Sequence, residues 1–166
     1  SSGSFTQVSG GTLSMTGTGK TISGTGISLD NLAISGTVST AISLVLTGNL
    51  SVSGSFTSAT GTITLSGAAK TITGAGTKSF ASLLIAGSVT ANADFSISTN
   101  LTVNGSLSAS AGTATFTGTS VLSGTANLFN TTINGTSLQL SANATLGIAN
   151  MLTIISGSLN VTSLGP

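Results

Sequence analysis

The chain offers little for chemistry to work with. Its ionisable side chains are Lys20, Lys70, Lys78, Asp30 and Asp94. His, Glu, Arg, Cys, Trp and Tyr are all absent. General acid–base catalysis needs an imidazole or a tuned carboxylate, and Asp30 and Asp94 lie 64 residues apart. A hydroxyl nucleophile needs a neighbouring base, which leaves a Ser–Lys dyad as the one residue-type option. Against it, Lys20 and Lys70 hold equivalent positions in a repeat, so the expectation is a stacked pair on a solvated face, where lysine discourages unwanted strand pairing. The segment Gly17-Thr-Gly-Lys-Thr21 has the flavour of a phosphate loop, but Ser14 stands where the first glycine is required and no helix is expected to follow. Its copy reads Ala68-Ala-Lys-Thr71, which points to turn chemistry.

Asp30-Asn31 and Asn92-Ala-Asp94 could lend oxygens to Ca²⁺, but a calcium site takes about six to eight ligands, and turn capping is the simpler role. No cofactor or metal site is expected. Seven of the eleven asparagines sit in Asn-x-Ser/Thr: Asn49, Asn100, Asn104, Asn130, Asn134, Asn143 and Asn160. In so Ser/Thr-rich a chain about four would arise by chance under the acceptor rule. They are candidate glycosylation sites, with turn formation as the competing role.

The elements that must hold these residues are suggested by composition. Charged residues are 3% of the chain, against roughly 25% in ordinary globular proteins. Net charge is +1, which gives no attraction to nucleic acid. Low charge does not mean disorder, which needs low hydrophobicity with high net charge. Here 39% of residues are apolar and mean hydropathy is +0.55. No apolar run approaches the roughly 18 residues of a membrane helix, and without Trp or Tyr an outer-membrane barrel would lack its aromatic girdles. The first residues show neither the basic nor the apolar region of a signal peptide; any such segment is expected to have been removed.

Self-comparison reveals a repeat near fifty residues. Gly11-Thr-Leu-Ser-Met-Thr-Gly17 returns as Gly61-Thr-Ile-Thr-Leu-Ser-Gly67 and as Gly112-Thr-Ala-Thr-Phe-Thr-Gly118. Lys20-Thr-Ile-Ser-Gly24 returns as Lys70-Thr-Ile-Thr-Gly74, and Asn49-Leu-Ser-Val-Ser-Gly54 as Asn100-Leu-Thr-Val-Asn-Gly105. The chain divides into a partial repeat at 1–10, whole repeats at 11–60, 61–111 and 112–163, and a tail at 164–166, all within one domain.

Inside each repeat the period is two. Leu13, Met15, Ile63, Leu65, Leu101 and Val103 are expected inside, with Thr12, Ser14, Thr62 and Thr64 pointing away. No 3.6-residue stripe persists, so essentially no helix is expected. The fold class read from this is all-β: a β-solenoid, or parallel β-helix, of three repeats built from short strands. Two coils of about 25 residues per repeat would let the copies stack in register. The 18-residue spacing of Asn31-Leu-Ala-Ile-Ser-Gly36 and Asn49-Leu-Ser-Val-Ser-Gly54 leaves a narrower coil, three per repeat, as the alternative. A stacked antiparallel β-sandwich is the other architecture that fits.

The Asn-Leu-x-Val-x-Gly pattern among Ser/Thr/Gly-rich strands resembles the β-helical repeat regions of large secreted bacterial surface proteins, the filamentous-haemagglutinin-type adhesins. The resemblance covers residues 2–163 and implies a right-handed parallel β-helix, secretion, and a structural or adhesive role, with no catalytic residue. The expected function is a non-enzymatic structural protein that assembles end to end, with itself as partner, into an extracellular fibre or surface layer. The terminal strands at 4–9 and 158–163 carry no charge to oppose pairing. An adhesin stalk or a module binding surface glycans is the alternative, and ice binding through Thr-x-Thr rows such as Thr113-Ala-Thr-Phe-Thr-Gly-Thr119 is a minor one.

Overall fold

The computed structural model describes residues 5–161. The first four residues of the partial repeat, the last strand beyond Val161 and the 164–166 tail lie outside the described residues. All described regular structure is β, in sixteen strands from Phe5–Thr6 to Thr145–Asn160. Every pairing between them is parallel, which excludes the antiparallel sandwich. The chain winds as a β-solenoid of about eight coils, each visiting three faces in the same order. The second coil is typical: Ile27–Leu29 on a first face, Asn31–Ile34 on a second, Thr37–Thr40 on a third.

The rise from one coil to the next takes between 17 residues, as from Ser28 to Val45, and 22, as from Phe5 to Ile27. The coil is therefore the narrow one, and two 25-residue coils per repeat do not occur. This has a consequence for the repeat. Leu13 pairs with Leu32 on the second face. Its copy Ile63 pairs with Leu44 on the first, and the third copy, Ala114, pairs with Phe95 on the third. Each copy of the fifty-residue motif thus advances two coils and two further faces. Equivalent residues do not stack; they occupy the three faces in turn.

The core is a set of inward columns running along the solenoid axis. On the first face Leu44, Ile63, Leu83, Leu101 and Leu122 follow one another coil by coil, all at most 1% exposed. Beside them run Leu29, Leu46, Leu65, Ile85 and Val103. On the third face Phe56, Phe80 and Phe95 pack edge-on, with ring centroids 6.2 and 6.4 Å apart. Each fully buried aliphatic contributes roughly 1.5–3 kcal/mol. The period-two register holds: Ile63, Leu65, Leu101 and Val103 are buried and Thr12, Ser14, Thr62 and Thr64 are not. Leu13 and Met15 face the same way but are only half-buried, because the first coil is covered from one side alone.

Glycine makes the corners. Columns of it run between the faces: Gly17, Gly36, Gly54 and Gly76 between the second and third, and Gly67, Gly87 and Gly105 between the first and second. A Cβ on Gly54 would overlap the carbonyl oxygen of Gly36 one coil away, and one on Gly105 would overlap that of Gly87. The close approach of successive backbones is the reason for the residue. Later corners need no break in the strand: Thr119–Leu140 runs for 22 residues, longer than the short strands expected from the sequence. Its ladder with Thr145–Asn160 shifts register between Leu128 and Asn130 and again between Ile133 and Ser137.

Candidate functional site: a buried lysine and two open edges

The charged residues separate into structural roles. Asp30 is 8% exposed and ties three coils together. Its carboxylate accepts from the Gly10 amide, from Thr47 Oγ1 at 3.1 Å and from Asn31 Nδ2 at 3.3 Å. Asp94 is exposed and accepts from the Thr113 amide at 2.8 Å. Both carboxylates cap backbone of neighbouring coils, the Asx behaviour expected at turns. Among the described residues no three metal-ligating side chains come together.

Lys20 and Lys70 do not form the stacked pair expected from their repeat positions. Lys20 pairs with Val38 on the third face and Lys70 with Val89 on the second. The stem of each folds back over the glycine three residues earlier, Gly17 or Gly67. The rotation of the repeat around the faces explains the separation. Lys78 was not singled out by the sequence, and it is the unusual one. It lies in an inward column between Phe56 and Phe95, 1% exposed. Its ammonium donates to the carbonyl oxygens of Gly74 and Gly76, both at 2.7 Å. Desolvation pushes its pKa below the ordinary lysine value, and the nearby Asp94 carboxylate partly opposes that. Lys78 and Asp94 line a cavity of about 230 Å³ with Gly76, Phe95, Ser96 and Thr115. Two of the ammonium's three donors are engaged by carbonyls there, so the arrangement holds a cation in place at a corner. A period-two count from Phe80 would have placed Lys78 inside.

The candidate glycosylation asparagines divide by environment. Asn49 is held in a polar ladder: its Nδ2 donates to Asn31 Oδ1 at 3.2 Å, and its Oδ1 accepts from the Thr71 amide at 2.9 Å. Asn130 accepts from Asn150 Nδ2 at 2.8 Å and Asn134 from Ser156 Oγ at 3.3 Å. Asn143 holds a turn at φ 64°, and Asn160 accepts from Ser158 Oγ at 3.3 Å. Asn100 and Asn104 are exposed.

The two end coils are the remaining candidates. The first presents Phe5–Thr6, Thr12–Met15 and Lys20–Ile22, one strand per face, each paired on one side only among the described residues. The last is Thr145–Asn160, which among the described residues pairs only with Thr119–Leu140. Columns that are sealed elsewhere open here. Ile133 is 0% exposed, while Ile154, its neighbour in the last coil, is 49% exposed. Leu152, Met151 and Ile155 are likewise exposed. The first edge is not free of charge, as the terminal strands alone suggested: the coil geometry adds Lys20 to it. No family model, curated protein or solved structure matches this chain.

Proposed function

We propose that the chain is a non-catalytic structural protein whose open coils stack end to end, building an extracellular fibre or surface layer. The observation that carries this reading is the match between the two edges. The last described segments visit the second, third and first faces in order, at 145–148, 151–156 and 158–160; the first visit the first, second and third. A second copy turned by one face about the axis continues the spiral: its first, second and third faces follow over the second, third and first faces of the last coil, so each of its first-coil strands lies opposite an edge strand. Unpaired N–H and C=O groups on both edges gain partners, and Leu152 and Ile154 are covered. Such a head-to-tail contact does not close and gives a filament.

Negative-stain microscopy of the purified chain over a range of concentrations tests this. The expected result is unbranched filaments, whose fibre diffraction shows a rung spacing of about 4.8 Å along the axis. A chain that stays monomeric when concentrated overturns it. The edges would then serve to continue a longer array, in a stalk that displays an adhesive or glycan-binding module.

A further inference from the structure

One outer surface is more regular than the repeat. On the third face a single outward column runs from Thr21 through Thr57, Ser96 and Thr115 to Thr153, and every one of its eight positions is Ser or Thr. No register shift interrupts it on that face, and all eight side chains are exposed or half-exposed. The column two residues earlier holds Thr37, Ser55, Thr77 and Thr113, with Asp94, Asn130 and the exposed Met151 as its departures. The other faces lack this uniformity. Val45 and Leu84 interrupt the outer column of the first, and Asn31, Asn49 and Asn127 that of the second.

We propose that this outer face binds ice. A crystalline surface is recognised by matching its repeat in two directions at once. Here hydroxyls recur about every 4.8 Å from rung to rung and about every 6.6 Å between alternate residues of a strand. The rung spacing lies close to the shorter oxygen repeat on a prism plane of ice, and the strand spacing falls somewhat short of the longer one. A hydroxyl donates and accepts as water does, so each can stand in for a lattice water, and Ser96 Oγ already bonds Ser79 Oγ at 3.2 Å across one rung. The array is held rigid from beneath by Phe56, Phe80 and Phe116, so little ordering is left for binding to impose. Aligning the sequence copies hides the array: those copies sit on three different faces, whereas the stacked residues come from different parts of the motif.

Thermal hysteresis and ice-recrystallisation inhibition of the purified chain test the proposal. Two lysine variants are compared, each with circular dichroism to confirm the fold. Thr115→Lys breaks the middle of the third-face column, and Thr90→Lys makes the same change on the exposed second face. The parent chain is expected to show hysteresis, Thr115→Lys to lose most of it and Thr90→Lys to retain it. No hysteresis in the parent chain, or equal loss in both variants, overturns the proposal. The inference does not depend on end-to-end assembly.

Discussion

Lys20 and Lys78 occupy one inward column of the third face, joined through Val38 and Phe56. Lys78 is sealed inside with its ammonium on two corner carbonyls, while Lys20 stands exposed on the first coil. The same position therefore shows what a lysine does when another coil covers it and when none does. At the open edge its stem lies back over Gly17 and leaves a charge on the edge, a device that slows edge pairing. Lys20→Leu should therefore shorten the lag of assembly, followed by light scattering. An unchanged or longer lag would show that Lys20 does not guard this edge.

Lys78 makes stability depend on pH in a definite direction. Its folded pKa is lowered by burial, while the unfolded chain keeps the ordinary value near 10.4. Between those two values the unfolded state holds the proton that the folded state has released, so stability rises with pH across that window. Below the window the cost of burying the cation is fully present. Urea unfolding at about pH 8 and about pH 10.5 should show the higher midpoint at the higher pH, and Lys78→Met should remove that rise. A rise of the same size in the variant would place its origin elsewhere.

The corner glycines can be tested singly. Gly54→Ala sets a Cβ against the backbone oxygen of Gly36, where nothing flexible can yield. The expected cost is about 1–3 kcal/mol, the range for overpacking. Ser53→Ala, next to it and exposed, should stay within about 0.5 kcal/mol. Equal effects in denaturant titrations would mean that the corner has room.

Much of this architecture is legible in the sequence. The alternation of Ile63 and Leu65 with Thr62 and Thr64 gave the inward face, because a pleated strand leaves no other choice. The coil length was harder. The motif recurs after fifty residues, yet the backbone closes a coil in about nineteen, so the strongest sequence signal is not an integral number of coils. Leu13, Ile63 and Ala114 look like partners and lie on three faces. The 18-residue spacing of Asn31 and Asn49 was the truer guide, and those two side chains do bond, at 3.2 Å. The hydroxyl column was invisible for the same reason: its members are neighbours only once the coil is known.

Thr131 is the one described side chain whose buried polar atom lacks a partner. Its position is inward, between Ala114 and Leu152 in the third-face column. Other buried hydroxyls there are satisfied, as Thr40 Oγ1 is by the Ile22 carbonyl at 3.0 Å. Thr131→Val keeps the shape and removes the unpaired group, so it should stabilise the fold by about 1 kcal/mol. A loss of stability on thermal or urea unfolding would mean that the hydroxyl has a partner in solution.

The edge contact itself is probed at Leu159. This residue pairs with Leu138 in the preceding coil and packs against the core from its outermost layer. It is thus covered from within the chain and open on the side where a second copy would stack. Leu159→Lys puts a charge there at little expense to the interior, because Leu122 and Leu138 in the coils beneath stay buried. Filaments should become shorter or disappear, while circular dichroism and the unfolding midpoint of the remaining coils change little. In the parent chain, assembly should be nearly insensitive to salt, since backbone pairing and apolar contact supply the attraction and Lys20 is the only charge on the two described edges. Steep salt dependence, or normal filaments from Leu159→Lys, would show that the chains meet through some other surface, and end-to-end stacking of coils would have to be abandoned.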